Sequence, residues 1–200
     1  MPEPFFDRLS SAVARVGPLC VGLDPSSALL EAWGLDDDAK GAEHLARTVL
    51  EAVAPVAAVV KPQVAFYERF GSAGYAVLER VLASASELGL VVIGDAKRGD
   101  IPSTTAGYAQ AWLADASPLA VDAVTLSAYL GSAALGPAFE LAHATGRGVF
   151  VVVASSNDEG RGIQTAAVPT GATVETTLLA ELDAASLALG GETPSRCLGA

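Results

Sequence analysis

The chain alternates between two kinds of hydrophobic patterning. Short runs of β-favouring residues recur about every 25 to 40 residues: PLCVGLD (18–24), VAAVVKPQ (56–63), LVVIGDAK (90–97), AVTLSAYL (123–130, led in by Val121) and GVFVVVASS (148–156). Between them lie Ala- and Leu-rich stretches with helical spacing, including Ala42 to Val53, Ala73 to Leu88, Thr105 to Ala114 and Ala134 to Ala144. Strands that read as continuous apolar runs are covered on both faces, and strands alternating with helices make parallel βα units. The pattern therefore predicts α/β architecture in a single domain over 1–200, either an open doubly wound sheet or a (β/α)₈ barrel. The strand ends favour the barrel. Asp24, Lys61 with Gln63, Asp95 with Lys97, Ser127, and Ser155 to Asn157 all stand at C-terminal edges, which a barrel gathers at one mouth where its enzymes keep their sites. Five strands are clear, and SRCLGA (195–200) reads as the approach to a sixth. A closed barrel has eight strands in about 250 residues, so the barrel is expected to be incomplete at its C-terminal side.

Composition narrows the function classes. Half the chain is apolar (51%), yet no continuous apolar run reaches the roughly 20 residues of a membrane span, so the expectation is a soluble protein without a membrane partner. The net charge of -11, with no basic stripe, argues against nucleic acid as a partner and leaves room for a small anionic substrate in a local cationic pocket. Cys20 and Cys197 are far apart and form no metal or redox spacing, and no leader opens the chain. Reduced thiols and a cytoplasmic location follow as expectations.

The charged stretch DAKRGDIPST (95–104) carries the candidate chemistry. Side chains two apart on a strand share a face, so Asp95 and Lys97 point the same way and Ala96 the other. Arg98 and Gly99 are expected to leave the strand, and Pro102 suits a first helical turn. A plain structural account is available: Asp100 as a helix cap, and Asp95 with Lys97 as an ion pair. Against it stands the distribution of lysine. The chain has only Lys40, Lys61 and Lys97, and two of these sit at strand ends. Lysine is a compact charge that can release its proton, which suits proton chemistry. Lys61, Asp95, Lys97 and Asp100 alternate in sign and sum to zero, a set that a pocket can hold where a lone charge could not stay.

DAKRGDIPST follows the pattern D-x-K-x-x-D-I-P-x-T, and together with VVKPQVAFYERFG (59–71) and SNDEGRGIQ (156–164) it resembles the orotidine 5′-phosphate decarboxylase family, in its bacterial type 2 branch. The resemblance covers residues 5 to 200. It implies a homodimeric (β/α)₈ barrel that makes uridine 5′-phosphate, the last step of de novo pyrimidine biosynthesis, with no metal and no organic cofactor. It further implies that Lys97 protonates C6 of the pyrimidine as carbon dioxide leaves, that Asp95 lies against the substrate carboxylate, and that Lys61 bridges the aspartates and the ribose. Asp100, Ile101 and Thr104 would reach into the neighbouring subunit's site. Asp24 would bind a ribose hydroxyl and Ser156 the pyrimidine edge. The resemblance places the phosphate grip in loops after the seventh and eighth strands, so the 200-residue chain is expected to turn over poorly. Two alternatives are a magnesium-dependent sugar-phosphate decarboxylase or aldolase of the same superfamily, and an inactive fragment of the decarboxylase. Lys61 stands where the metal enzymes would carry an acidic ligand, and a cation there repels a metal.

Other residues read as structural. His44 and His143 have no carboxylate at metal spacing, LDDDAKG (35–41) is a charged solvated turn, and Ser155 lacks the G-x-S-x-G elbow of a nucleophile.

Overall fold

The computed structural model describes residues 2–200. Six parallel strands form one sheet in the order β1 (Cys20–Leu23), β2 (Val59–Pro62), β3 (Val91–Arg98), β4 (Ala123–Ser127), β5 (Gly148–Val152) and β6 (Leu198–Gly199). Strictly sequential parallel order is the winding of a barrel; a doubly wound sheet reverses direction part-way. β1 and β6 stand at the two edges, so the sheet is an open barrel arc among the described residues.

The long helices α3 (Ala39–Val53), α5 (Gly71–Glu87), α6 (Pro102–Leu113), α7 (Gly136–Thr145) and α9 (Val174–Gly190) cover the outer face, while the short α2 (Ser27–Ala32), α4 (Ala65–Glu68) and α8 (Asp158–Gln164) follow β1, β2 and β5. LDDDAKG does more than meet solvent, since Asp38 caps α3 by accepting from the Gly41 N–H at 2.8 Å and Asp37 takes the Arg69 guanidinium. Two strand expectations shorten. The fourth run stops at Ser127, because Gly131 at φ 94° turns the chain and leaves Tyr129 and Leu130 in water. The fifth stops at Val152, and Ser155 to Asn157 form a loop beyond it. β3 runs one residue longer than expected, with Arg98 paired to Leu126.

Alternate residues of the strands divide the core in two. Outward-facing Val60, Val92, Val124, Val149 and Val151 join helix residues such as Leu50, Leu78, Trp112 and Leu113 in the larger cluster. Inward-facing Val59, Val91 and Ala123 form a second cluster with Phe5 and Ala12 of α1 (Phe5–Val16), a helix that crosses the N-terminal ends of the strands as a floor. Phe5, Phe6 and Phe150 meet edge to face there, with ring centroids 5.0 to 5.7 Å apart. Arg8 of α1 pairs with Asp122, whose other oxygen accepts from the Val92 N–H at 2.9 Å.

Candidate active site

Toward the C-terminal ends, the inward stripe of each strand changes from apolar to polar. Val59 gives way to Lys61 on β2, Val91 and Ile93 to Asp95 on β3, and Ala123 to Thr125 and Ser127 on β4. Of these, Lys61 and Thr125 converge on Asp95, which is 6% exposed. Lys61 Nζ donates to its Oδ2 at 2.6 Å and Lys97 Nζ to its Oδ1 at 2.5 Å. Gln63 Nε2 donates to Oδ2 at 3.2 Å and Thr125 Oγ1 to Oδ1 at 2.9 Å. Burial pushes the Asp95 carboxyl up, but hydrogen bonds from Lys61, Lys97 and Thr125, with the charge of Lys61, outweigh it and hold the group below the usual aspartate range. Asp95 is therefore an anion clamped between two ammonium groups. The Lys97 side chain remains half exposed (49%), so one face of its ammonium is open toward the mouth.

Within one chain, three of the four charged residues meet. Asp100 is outside it: its carboxylate accepts from the Ile101 N–H at 2.7 Å, and its carbonyl accepts from Thr105 Oγ1 at 2.8 Å. Ile101 occupies the N-cap position of α6, so Asp100 sits one residue before the cap. Ile101 and Thr104 are exposed on the same turn. Gly99 is needed because a Cβ there would lie 2.0 Å from the Ser127 carbonyl oxygen. Asp24 lies just beyond β1, and its Oδ1 is buried with no hydrogen-bond partner among the described residues. Burial and then the charge of Asp24 push the nearby Tyr67 phenol far above its usual range, so it stays neutral. Ser156 is exposed in the loop after β5, and its neighbour Ser155 is held by Gln164 at 2.7 Å.

Three residues without a sequence-assigned role support the site. Gln63 and Thr125 complete the shell of Asp95. Arg98 anchors the strand after Lys97: its guanidinium binds Glu68 of α4, donates to the Ala96 carbonyl at 3.3 Å and lies 5.9 Å from the Tyr108 ring. Separately, a cleft of about 470 Å³ opens at the ends of β4 and β5, lined by Ser127, Tyr129, Val152, Gln164 and Leu178. The charged trio does not line it; charge and apolar space are neighbouring features of one mouth.

Residues 17–198 match the orotidine 5′-phosphate decarboxylase / HUMPS family. The chain belongs to this family. It is 54% identical over 180 residues to the orotidine 5′-phosphate decarboxylase of Salinispora tropica, covering 90% of this chain and 65% of that one. It is 50% identical over 198 residues to the Streptomyces coelicolor enzyme of the same name, covering 99% and 70%. A crystal structure of a Streptomyces avermitilis protein assigned to that activity superimposes with a TM-score of 0.93 at 51% identity, over 98% of this chain and 68% of that one. The OMP decarboxylase of Leishmania donovani superimposes with a TM-score of 0.79 at 30% identity, over 98% and 69%. The chain thus spans 65% of the Salinispora sequence and 59% of a Corynebacterium efficiens one. Against these family barrels, the sequential sheet and its charged mouth identify the fold as the TIM barrel of the family.

Proposed function

We propose that the chain carries the catalytic centre of an orotidine 5′-phosphate decarboxylase, with Lys97 as the proton donor. The observation that carries this reading is the Lys97 ammonium fixed against ionised Asp95 at the barrel mouth. In the reaction, the bond from C6 to the carboxyl carbon breaks and its electron pair stays on C6. A proton then moves from Lys97 Nζ to C6, carbon dioxide departs, and the lysine regains its proton from solvent. Charge on C6 appears only at the transition state, so an ammonium already oriented toward it lowers the barrier without tightening the ground state. Repulsion of the substrate carboxylate by Asp95 adds less. Two like charges about 4 Å apart interact by about 4 kcal/mol at an effective dielectric of 20, whereas enzymes lower barriers by about 8 to 23 kcal/mol. Binding energy from the distant phosphate supplies organisation, and a weaker phosphate grip costs turnover as well as affinity.

The remaining roles belong to the same reading. Lys61 bridges Asp95 and the ribose, and Asp24, with its unpartnered buried oxygen, accepts from a ribose hydroxyl. Ser156 meets the pyrimidine edge. Asp100, Ile101 and Thr104 serve the site of a second copy in a cytoplasmic homodimer; their support is that the Asp100 carboxylate stays outside the lysine network and its two companions are exposed. No metal or organic cofactor takes part. The magnesium-dependent alternative fits poorly, because both Asp95 oxygens are engaged by ammonium groups, leaving no anionic donor pair for a divalent cation.

Decarboxylation in deuterium oxide tests the assignment. Uridine 5′-phosphate is expected to form with deuterium at C6, unaffected by chelator, and Lys97→Ala is expected to lose about 100- to 10,000-fold in kcat. Unchanged turnover in Lys97→Ala overturns the role of Lys97. Absence of turnover even after the chain is lengthened by two βα units overturns the function.

A further inference from the structure

Lys97 sits on an irregular piece of strand. Gly94 pairs with Val124 and Arg98 with Leu126, so four steps along β3 are matched to two along β4. Within that bulge Lys97 has φ 47°, the one non-glycine residue with positive φ among the described residues. Side chains resist this conformation, and it persists only where the surroundings impose it. Thr125 lies on β4 between the two paired positions and faces the bulge. Its Oγ1 accepts from the Lys97 backbone N–H at 2.9 Å and donates to Asp95 Oδ1 at 2.9 Å. Lys97 Nζ returns to the same Oδ1 at 2.5 Å, so backbone, hydroxyl, carboxylate and ammonium form a closed ring.

We propose that Thr125 is a positioning residue: its hydroxyl holds the bulged strand in the conformation that directs the Lys97 ammonium onto Asp95 and from there to the reacting carbon. The inference rests on the decarboxylase reading for its kinetic consequence and on geometry alone for its structural one. Threonine meets both demands with one atom, an acceptor for the Lys97 N–H and a donor to the carboxylate. Valine has the same shape and strand preference but neither capacity. With valine the Lys97 N–H loses its partner, the left-handed conformation loses its tether, and the ammonium is free to swing into solvent.

The test compares Thr125→Val and Thr125→Ser with the parent chain by two readouts. The first is the titration of the Asp95 carboxyl carbon by NMR, which needs no turnover. The charged groups facing Asp95 are Lys61 from β2 and Lys97 from its own strand, with neutral Gln63 beside them. Removing the hydroxyl donor while these remain is expected to raise the Asp95 midpoint, and serine is expected to return it. The second is decarboxylation, where valine is expected to lower kcat by roughly 10- to 100-fold with KM changed by less than about threefold, and serine to recover most of the loss. Valine that leaves both the midpoint and kcat at parental values overturns the proposal, as does serine that restores neither. Should the parent chain show no decarboxylation, kcat is compared in the chain lengthened by two βα units; if that chain is also inactive the reading of the function fails while the titration still judges Thr125: a raised midpoint supports it and an unmoved one overturns it. If Thr125→Val does not fold, Thr125→Ala is read in the same way.

Discussion

The two ends of the inward-facing stripe obey opposite rules. At the floor, Val59, Val91 and Ala123 pack in one apolar cluster with Phe5, Phe6 and Phe150, whose rings meet edge to face, and the Arg8–Asp122 pair ties α1 to the start of β3. At the mouth, two residues further along β2 and β4 and four further along β3, Lys61, Thr125 and Asp95 replace apolar side chains, and Lys97 adopts a disfavoured backbone conformation. One sheet thus keeps its packing at one end and concentrated charge at the other. Stability is expected to be lost from the floor and chemistry from the mouth, as barrel architecture predicts.

The largest effect that could break this division is at the floor. Phe5 is fully buried, and Phe5→Ala is expected to cost about 3 to 5 kcal/mol in urea unfolding. The Asp95 titration should stay at the parental midpoint; a shift would show that floor and mouth are coupled. Next, Gly99→Ala drives a Cβ against the Ser127 carbonyl, and an overpacking cost of about 1 to 3 kcal/mol is expected, measured the same way. An unchanged midpoint of unfolding would mean that the turn before α6 yields freely. Glu68→Gln weakens the charge-assisted anchor of Arg98 and is expected to cost about 1 kcal/mol, with a smaller effect on the backbone of Lys97 followed by amide chemical shifts.

The smallest effect is the pH dependence, and its sign follows from the depressed carboxyl. Asp95 titrates lower in the folded chain than its ordinary value of about 3.9. Its stabilising contribution is therefore fully present above about pH 4 and is lost as pH falls through the lower folded value. Thermal unfolding between pH 5 and pH 2 is expected to show this loss in the parent and a flatter profile in Asp95→Asn. Equal slopes would place the ionisation elsewhere.

Much of this contrast was legible in the residues. Apolar runs ending in charge marked the strand C-termini, and the scarcity of lysine singled out Lys61 and Lys97, which meet on one carboxylate. SRCLGA does lead into β6 beside β5. Four features were hidden for identifiable reasons. Thr125 is an ordinary strand former, so its side chain announces no hydrogen-bond role; an inward position level with Asp95 was the available signal. The bulge depends on the register between β3 and β4, a non-local property. Tyr129 and Leu130 suit a strand by themselves, and only the turn at Gly131 removes them from it. The floor helix likewise begins in PEPFFDRL, where paired phenylalanines gain meaning once the strand ends they cover are known.

The positive φ at Lys97 has an implication for anyone improving the heat resistance of this chain. Glycine would relieve a conformational penalty of roughly 1 to 2 kcal/mol at that position. A screen rewarding only survival at high temperature would favour the substitution that deletes the proposed proton source, so tougher variants should be sequenced at residue 97 before they are trusted as catalysts.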